Sequence, residues 1–126
     1  MAITPVKTLV AAAKAAITTL DQETAAEEVA AGRAVFVDIR DIRELERDGR
    51  LPGAIHAPRG MLEFWIDPES PYHKPAFDTD RRLILVCAGA QRSALAAKAL
   101  QDMGVVGVAE MAGGFSEWKK AGRPVE

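Results

Sequence analysis

The chain has 126 residues, 48% of them hydrophobic and 27% charged, with a formal net charge of −2. That size suits one globular domain, and the charge pattern offers no lysine or arginine cluster to hold a nucleic-acid backbone. No apolar run reaches membrane-spanning length, and the single cysteine excludes an internal disulfide, so a reducing cytoplasm is the expected compartment.

Thr4 and Pro5 read as N-cap and first position of an opening helix. Val6, Leu9, Val10, Ala13 and Ile17 then fall on one stripe, which is expected to pack on the main body or on a second subunit of a homodimer. Residues 1–19 are thus expected to form an amphipathic extension ahead of a domain over 20–126. The stretch TPVKTLVAAAKAAITTL has lysines and no acid, but it lacks arginine, a continuous apolar stretch and a cleavage site. A helix therefore fits it better than an import signal. Asp21 is placed to cap a second helix over 22–31, with Gly32 just beyond its end. AVFVD, residues 34–38, is short, apolar and β-branched, the pattern of a buried strand. IRDIRELERDG predicts a short helix ended by Gly49, its charges facing solvent. LPGAIHAP predicts a Pro-Gly turn into a short strand over 54–56.

Residues 58–80 contain four prolines and no sustained periodicity, so a long surface excursion with a helical turn over 61–65 is predicted. Residues 83–87 form the clearest strand signal. Over 93–103, Leu95, Ala96, Ala99, Leu100 and Met103 make a helix face that Gly104 ends. GVAEMAGGF predicts a last strand running into a Gly-Gly turn, and FSEWKKAG a closing helix with Trp118 packed on the body. Strands alternating with helices imply an α/β fold with a mostly parallel sheet covered on both faces.

Cys87 stands at the end of an apolar strand, where a lone cysteine is ordinarily an inert core residue. Its surroundings argue otherwise. Ligands of open α/β sheets bind beyond the carboxyl ends of the strands. If residues 88–93 curl into a ring, their N–H groups point inward with the positive end of the next helix behind them. That setting favours thiolate over thiol and holds an anion at the sulfur. Arg92 would add a fixed, forked positive charge. Ala88, Gly89 and Ala90 are small enough for the backbone to approach a bound group, and Gln91 and Ser93 complete the ring.

From about Leu20 to Glu126 the sequence resembles the single-domain rhodaneses. VFVDIRD, GRLPGAIHAP, LILVCAGAQRSALAAKAL and MAGGFSEWKKAGRPVE carry the likeness, in that order. The resemblance implies a five-stranded parallel sheet flanked by helices and a catalytic Cys87 that carries a persulfide. It also implies that the amides of residues 88–92 cradle the transferred sulfur. Asp38 and Arg40 match the family's D-x-R element, read as chiefly structural near the site. Three departures stand out. Arg50 and Leu51 replace the usual His-Ile before the Pro-Gly bend. Ala90 sits where the loop often has glycine, so the ring must close without it. The loop has one arginine and no lysine, which argues against a strong preference for the thiosulfate dianion.

The implied reaction is nucleophilic sulfur transfer from thiosulfate or a persulfide to cyanide or a thiol. With no second cysteine, the acceptor must come from outside the chain. Two alternatives stay open: a sulfur-carrier or regulatory module with little turnover, and a cysteine-dependent phosphatase. Against the phosphatase, the spacing from Cys87 to Arg92 is one residue short of that class and the loop holds no acid. Arg59 and Glu63 follow a strand end on the expected side of the sheet, which places them at the pocket mouth. Phe64 and Trp65 are expected in core or lid packing, and His56 at a packed strand end. His73 lines the site if the excursion folds over it. No metal or cofactor is expected, since neither histidine has ligand spacing with Cys87. The expected partners are small sulfur donors and acceptors, not nucleic acid or membrane.

Overall fold

The computed structural model describes residues 2–126. Helix α1 spans Val6–Ala16. Pro5, with ψ at 142°, is still extended and occupies the N-cap position with no side-chain cap, so the start expected at Thr4 and Pro5 moves one residue on. Val10 and Ala13 are buried against Ala94, with Ile17 and Leu95 beside them. Val6 and Leu9 stay exposed, so only part of the predicted stripe packs on the body.

Strand β1, Thr18–Leu20, follows at once and straddles the boundary expected at 19/20. The sequence pattern had not revealed it. Helix α2, Gln22–Ala30, is capped by the Asp21 side chain, which accepts from Thr24 N at 2.7 Å. Next come β2, Ala34–Asp38, and α3, Ile42–Asp48. Helix α3 opens with a reciprocal capping box between Asp41 and Glu44. Strand β3 is Ile55–His56. The excursion contains a 3-10 turn, Arg59–Met61, helix α4, Leu62–Ile66, and a second 3-10 turn, Pro75–Phe77. Strand β4, Arg82–Val86, leads into α5, Arg92–Met103; β5 is Ala109–Met111 and α6 is Gly114–Lys120. The strand predicted to end on Cys87 therefore ends one residue earlier, and the thiol belongs to the loop.

All five strands are parallel, in the order β1-β5-β4-β2-β3. Strand alternation divides the core into two layers. Leu83, Leu85 and Cys87 point to the face covered by Ala96, Ala97 and Leu100 of α5 and by Leu62 of α4. Ile84 and Val86 point to the opposite face, with Phe36, Phe115 and Trp118. The Trp118 ring meets Phe36 edge-on at 5.4 Å, and its Nε1 donates to Pro124 O at 2.8 Å, which fixes α6 on the sheet. The alanines of α5 let that helix lie close to β4, so the loop between them is short and starts at the carboxyl edge of the sheet. Among the described residues, no helix is long and apolar enough to cross a membrane.

Candidate active site

The candidate site is the loop from Cys87 to Gln91, strung between the end of β4 and the first turn of α5. Cys87 is only 1% exposed, and its Sγ accepts a hydrogen bond from Ser93 N at 3.3 Å. That donor belongs to the unpaired first turn of α5, where the helix dipole also favours negative charge. Ser93 Oγ lies 3.5 Å from the same sulfur. Ala88 is half-buried, Gly89 and Gln91 are exposed, and Ala90 is buried.

The missing glycine has a visible cost. Ala90 closes the ring with φ at +61°, the one described non-glycine residue in the left-handed region. That conformation costs an L-residue roughly 1–2 kcal/mol. Gly89, one place earlier, has open space around it and needs no special conformation.

The loop is clamped from behind by α6. Phe115 N donates to Cys87 O at 2.8 Å, and Ser116 N donates to Ala88 O at 3.0 Å. This close approach requires Gly114, whose ideal Cβ would sit 2.5 Å from Cys87 O and 2.6 Å from Ala88 O. The Gly-Gly turn read from sequence is thus a spacer under the Cys87 loop.

Asp38 and Arg40 form a buried pair, each side chain 1% exposed. Arg40 Nε donates to Asp38 Oδ1 at 3.0 Å and Nη2 donates to Oδ2 at 2.7 Å. Nη2 also donates to Gly49 O at 2.9 Å, and the guanidinium lies 4.0 Å over the Phe115 ring. The pair joins the end of β2, the end of α3 and the helix that clamps the loop. His56 Nε2 bonds Arg40 O at 2.8 Å. Arg40 also lines a cavity of about 440 Å³ together with Asp48, Ala88, Phe115, Ser116, Lys119 and Lys120.

Arg92 differs from expectation. Its guanidinium is not free to face the ring alone: Nη1 donates to Glu44 Oε1 at 2.7 Å and Nη2 donates to Oε2 at 3.0 Å. The Glu44 hydrogen bond pushes the Arg92 pKa up, with Coulomb attraction to Glu44 and to Cys87 adding to it and burial opposing. Glu44 is held below its ordinary 4.5, chiefly by the hydrogen bond from Arg92 and against its own burial. Glu44 thus ties the start of α3 to the start of α5, where its charge was expected to face solvent.

Arg59 and Glu63 pair with each other at 2.6 Å on a half-exposed surface of the excursion, and Arg59 N donates to Ile39 O at 3.1 Å beyond the end of β2. Neither lines the cavity beside Ala88. His73 Nε2 bonds Asp78 Oδ1 at 2.8 Å within the same excursion. Among the described residues no cluster of histidine, cysteine and carboxylate side chains could hold a metal.

Sequence reasoning missed one group altogether. Glu110, in the middle of β5, is fully buried, and its Oε1 accepts from Ser93 Oγ at 2.7 Å. A charged residue between apolar neighbours in VAEMA was the available signal.

Residues 21–121 match the rhodanese-like domain family. The chain is 28% identical over 96 residues to the thiosulfate:glutathione sulfurtransferase of Homo sapiens, covering 71% of this chain and 83% of that protein. A structure of a protein of unknown function from Rhodopseudomonas palustris, described as a possible tyrosine phosphatase, is similar at 48% identity. The likeness has a TM-score of 0.92 and covers 100% of this chain and 97% of that one. The polysulfide-sulfur transferase homodimer of Wolinella succinogenes is similar at 29% identity and TM-score 0.71, over 95% of this chain and 85% of that one.

Proposed function

Because the chain belongs to the rhodanese-like domain family, we propose that it is a sulfurtransferase whose nucleophile is Cys87. The observation that carries this reading is the seat of the thiol. Cys87 lies one residue beyond β4, and its Sγ accepts a hydrogen bond from the first turn of α5. A negative sulfur is stabilised there by an amide and a helix N-terminus already in place.

Transfer takes two displacements. Cys87 thiolate attacks the outer sulfur of a donor, forming a new S–S bond as the donor's own bond to that sulfur breaks. The electron pair leaves on sulfite or on a thiolate. An acceptor thiolate or cyanide then attacks the outer sulfur of the Cys87 persulfide, and Cys87 thiolate departs. No external oxidant or reductant enters, and the chain holds no second cysteine to intercept the persulfide.

The donor class follows from charge. The single loop cation, Arg92, is already paired to Glu44, which favours a persulfide, with one negative charge at the reacting end, over the thiosulfate dianion. The cavity beside Ala88 carries Lys119 and Lys120 against one acid, Asp48, in its lining, a net positive balance that suits an acidic thiol such as glutathione as acceptor. A homodimer through α1 would use the exposed Val6 and Leu9. Arg59 and Glu63 then serve at the mouth only if the donor extends over the excursion.

A carrier role is the second reading, favoured by the burial of Cys87, which would shelter a stored persulfide. The test is turnover with thiosulfate, glutathione persulfide and polysulfide donors, in wild type and Cys87→Ala, with an aryl phosphate assayed alongside. Multiple turnovers abolished in Cys87→Ala support the enzyme, and loading of one sulfur without turnover supports the carrier. Phosphate release dependent on Cys87, with no sulfur transfer, overturns both.

A further inference from the structure

Glu110 is an expensive residue to keep on an interior strand of a parallel sheet. Its carboxylate is fully buried, and taking such a group out of water is unfavourable unless it is well paired. An apolar residue would fill the position without that cost. What Glu110 touches is instructive. Lys14 Nζ on α1 donates to Oε2 at 2.8 Å, Thr19 Oγ1 on β1 donates to Oε2 at 2.9 Å, and Ser93 Oγ on α5 donates to Oε1 at 2.7 Å.

The Ser93 hydroxyl has one hydrogen, and the short bond to Glu110 uses it. Only lone pairs of Ser93 Oγ then face Cys87, whose S–H donates to that oxygen at 3.5 Å. The result is a continuous S–H···O–H···O chain from the thiol to a buried carboxylate. We propose that Glu110 takes the Cys87 proton through Ser93, so that thiolate forms without a proton leaving the protein. The inference rests on the sulfur-transfer reading for its purpose, and it makes Glu110 a positioning residue that acts through Ser93.

The step balances without a co-reactant. The S–H bond breaks and leaves its electron pair on sulfur. The proton adds to Ser93 Oγ as the serine's own proton passes to Glu110 Oε1. The products are thiolate, an intact serine hydroxyl and a neutral carboxylic acid. In that state Ser93 O–H and Ser93 N–H both donate to the sulfur, and Glu110 O–H donates to Ser93. Negative charge has moved from the carboxylate to the nucleophile.

The charged groups facing this pair are few. Lys14 approaches from α1, so the N-terminal helix reaches the site by a side chain. Arg92 approaches from α5, itself paired to Glu44 of α3. The internal transfer fixes the thiolate fraction wherever one proton is shared between Cys87 and Glu110. Reactivity should then level off below the usual thiol range, where an isolated thiol loses about tenfold per pH unit.

The test is the rate of iodoacetamide alkylation of Cys87 between about pH 5 and about pH 9, in the full chain and in Glu110→Gln and Ser93→Ala. Wild type is expected to hold a plateau over the acidic half of that range, within about twofold. Both variants are expected to fall by about tenfold per pH unit there. Ser93→Ala leaves the Glu110–Lys14 pair in place, so it decides the matter if Glu110→Gln does not fold. Parallel profiles in wild type and variant overturn the proposal, as does absence of alkylation in all three. Faster acid-side reaction in Glu110→Gln also overturns it, because the carboxylate would then only repel the thiolate. Alkylation needs no sulfur donor. A plateau in a protein that never loads sulfur refutes the sulfurtransferase reading alone, and loading without a plateau refutes the relay alone.

Discussion

Gly114→Ala should be far more damaging than the addition of one methyl group suggests. The new Cβ would lie 2.5 Å from Cys87 O, 2.6 Å from Ala88 O and 2.9 Å from Ala88 C, all backbone atoms of the candidate nucleophile's own loop. The first of these is about 1 Å short of ordinary van der Waals contact. No rotamer relieves it, so α6 and the loop must part. Parting them weakens the bonds from Phe115 N to Cys87 O and from Ser116 N to Ala88 O. A buried backbone group left without its partner costs about 1–3 kcal/mol. The left-handed φ of +61° adds roughly 1–2 kcal/mol for alanine, offset by about 0.4–1 kcal/mol of reduced chain entropy in the unfolded state. With both bonds lost the sum is about 2–8 kcal/mol, or on the order of 8–30 °C in Tm for a chain of this size. Gly122 is the internal control: its φ is +76° and nothing lies within 4 Å of its ideal Cβ. Gly122→Ala therefore costs only the conformational part, about 1 kcal/mol. Urea denaturation of the two variants measures the difference, and persulfide loading of Cys87 should fall in Gly114→Ala alone. Equal stability losses at the two positions would refute the reasoning.

Other outcomes follow from the same geometry. Asp38→Ala strands the buried Arg40 guanidinium and should cost about 3–5 kcal/mol by urea denaturation, whereas Asp102→Ala, which breaks the exposed pair with Lys98, should cost under about 1 kcal/mol. Ala90→Gly relieves the left-handed strain of the loop and should raise stability by up to about 1 kcal/mol, a modest gain in Tm; a loss would contradict the strain assigned to Ala90. Glu44 is depressed by Arg92, so the pair contributes at neutral pH and is lost as pH falls through the folded pKa, below the ordinary 4.5. An NMR titration of the Glu44 carboxyl should show its midpoint rising in Arg92→Gln, and an unchanged midpoint would contradict the pairing.

The architecture was legible where one local pattern dominated. AVFVD and LILV announced buried central strands because both faces of a covered parallel sheet are apolar. Asp21, Gly49 and Gly104 marked helix ends because capping chemistry is local. Strand β1 was not legible. Its three residues follow α1 with a single intervening residue, two of them are exposed, and its order in the sheet comes from pairing with β5, 91 residues away. The candidate site divided in the same way. Cys87 and its ring are contiguous in sequence and could be read together. The partners that set the electrostatics lie far off: Arg92 meets Glu44 across 48 positions, and Lys14 meets Glu110 across 96. No spacing rule within a helix or loop points to such pairs. Glu110 alone gave a hint, as a charge in an apolar strand that could not stay buried without partners.

The most direct test of the central claim is intact-protein and peptide mass spectrometry after exposure to a sulfane-sulfur donor. The account predicts one added sulfur atom, located on the peptide containing Cys87, removed by excess thiol and absent from Cys87→Ala. A wild-type protein that gains no sulfur from any donor, or a Cys87→Ala variant that transfers sulfur at an equal rate, would contradict it.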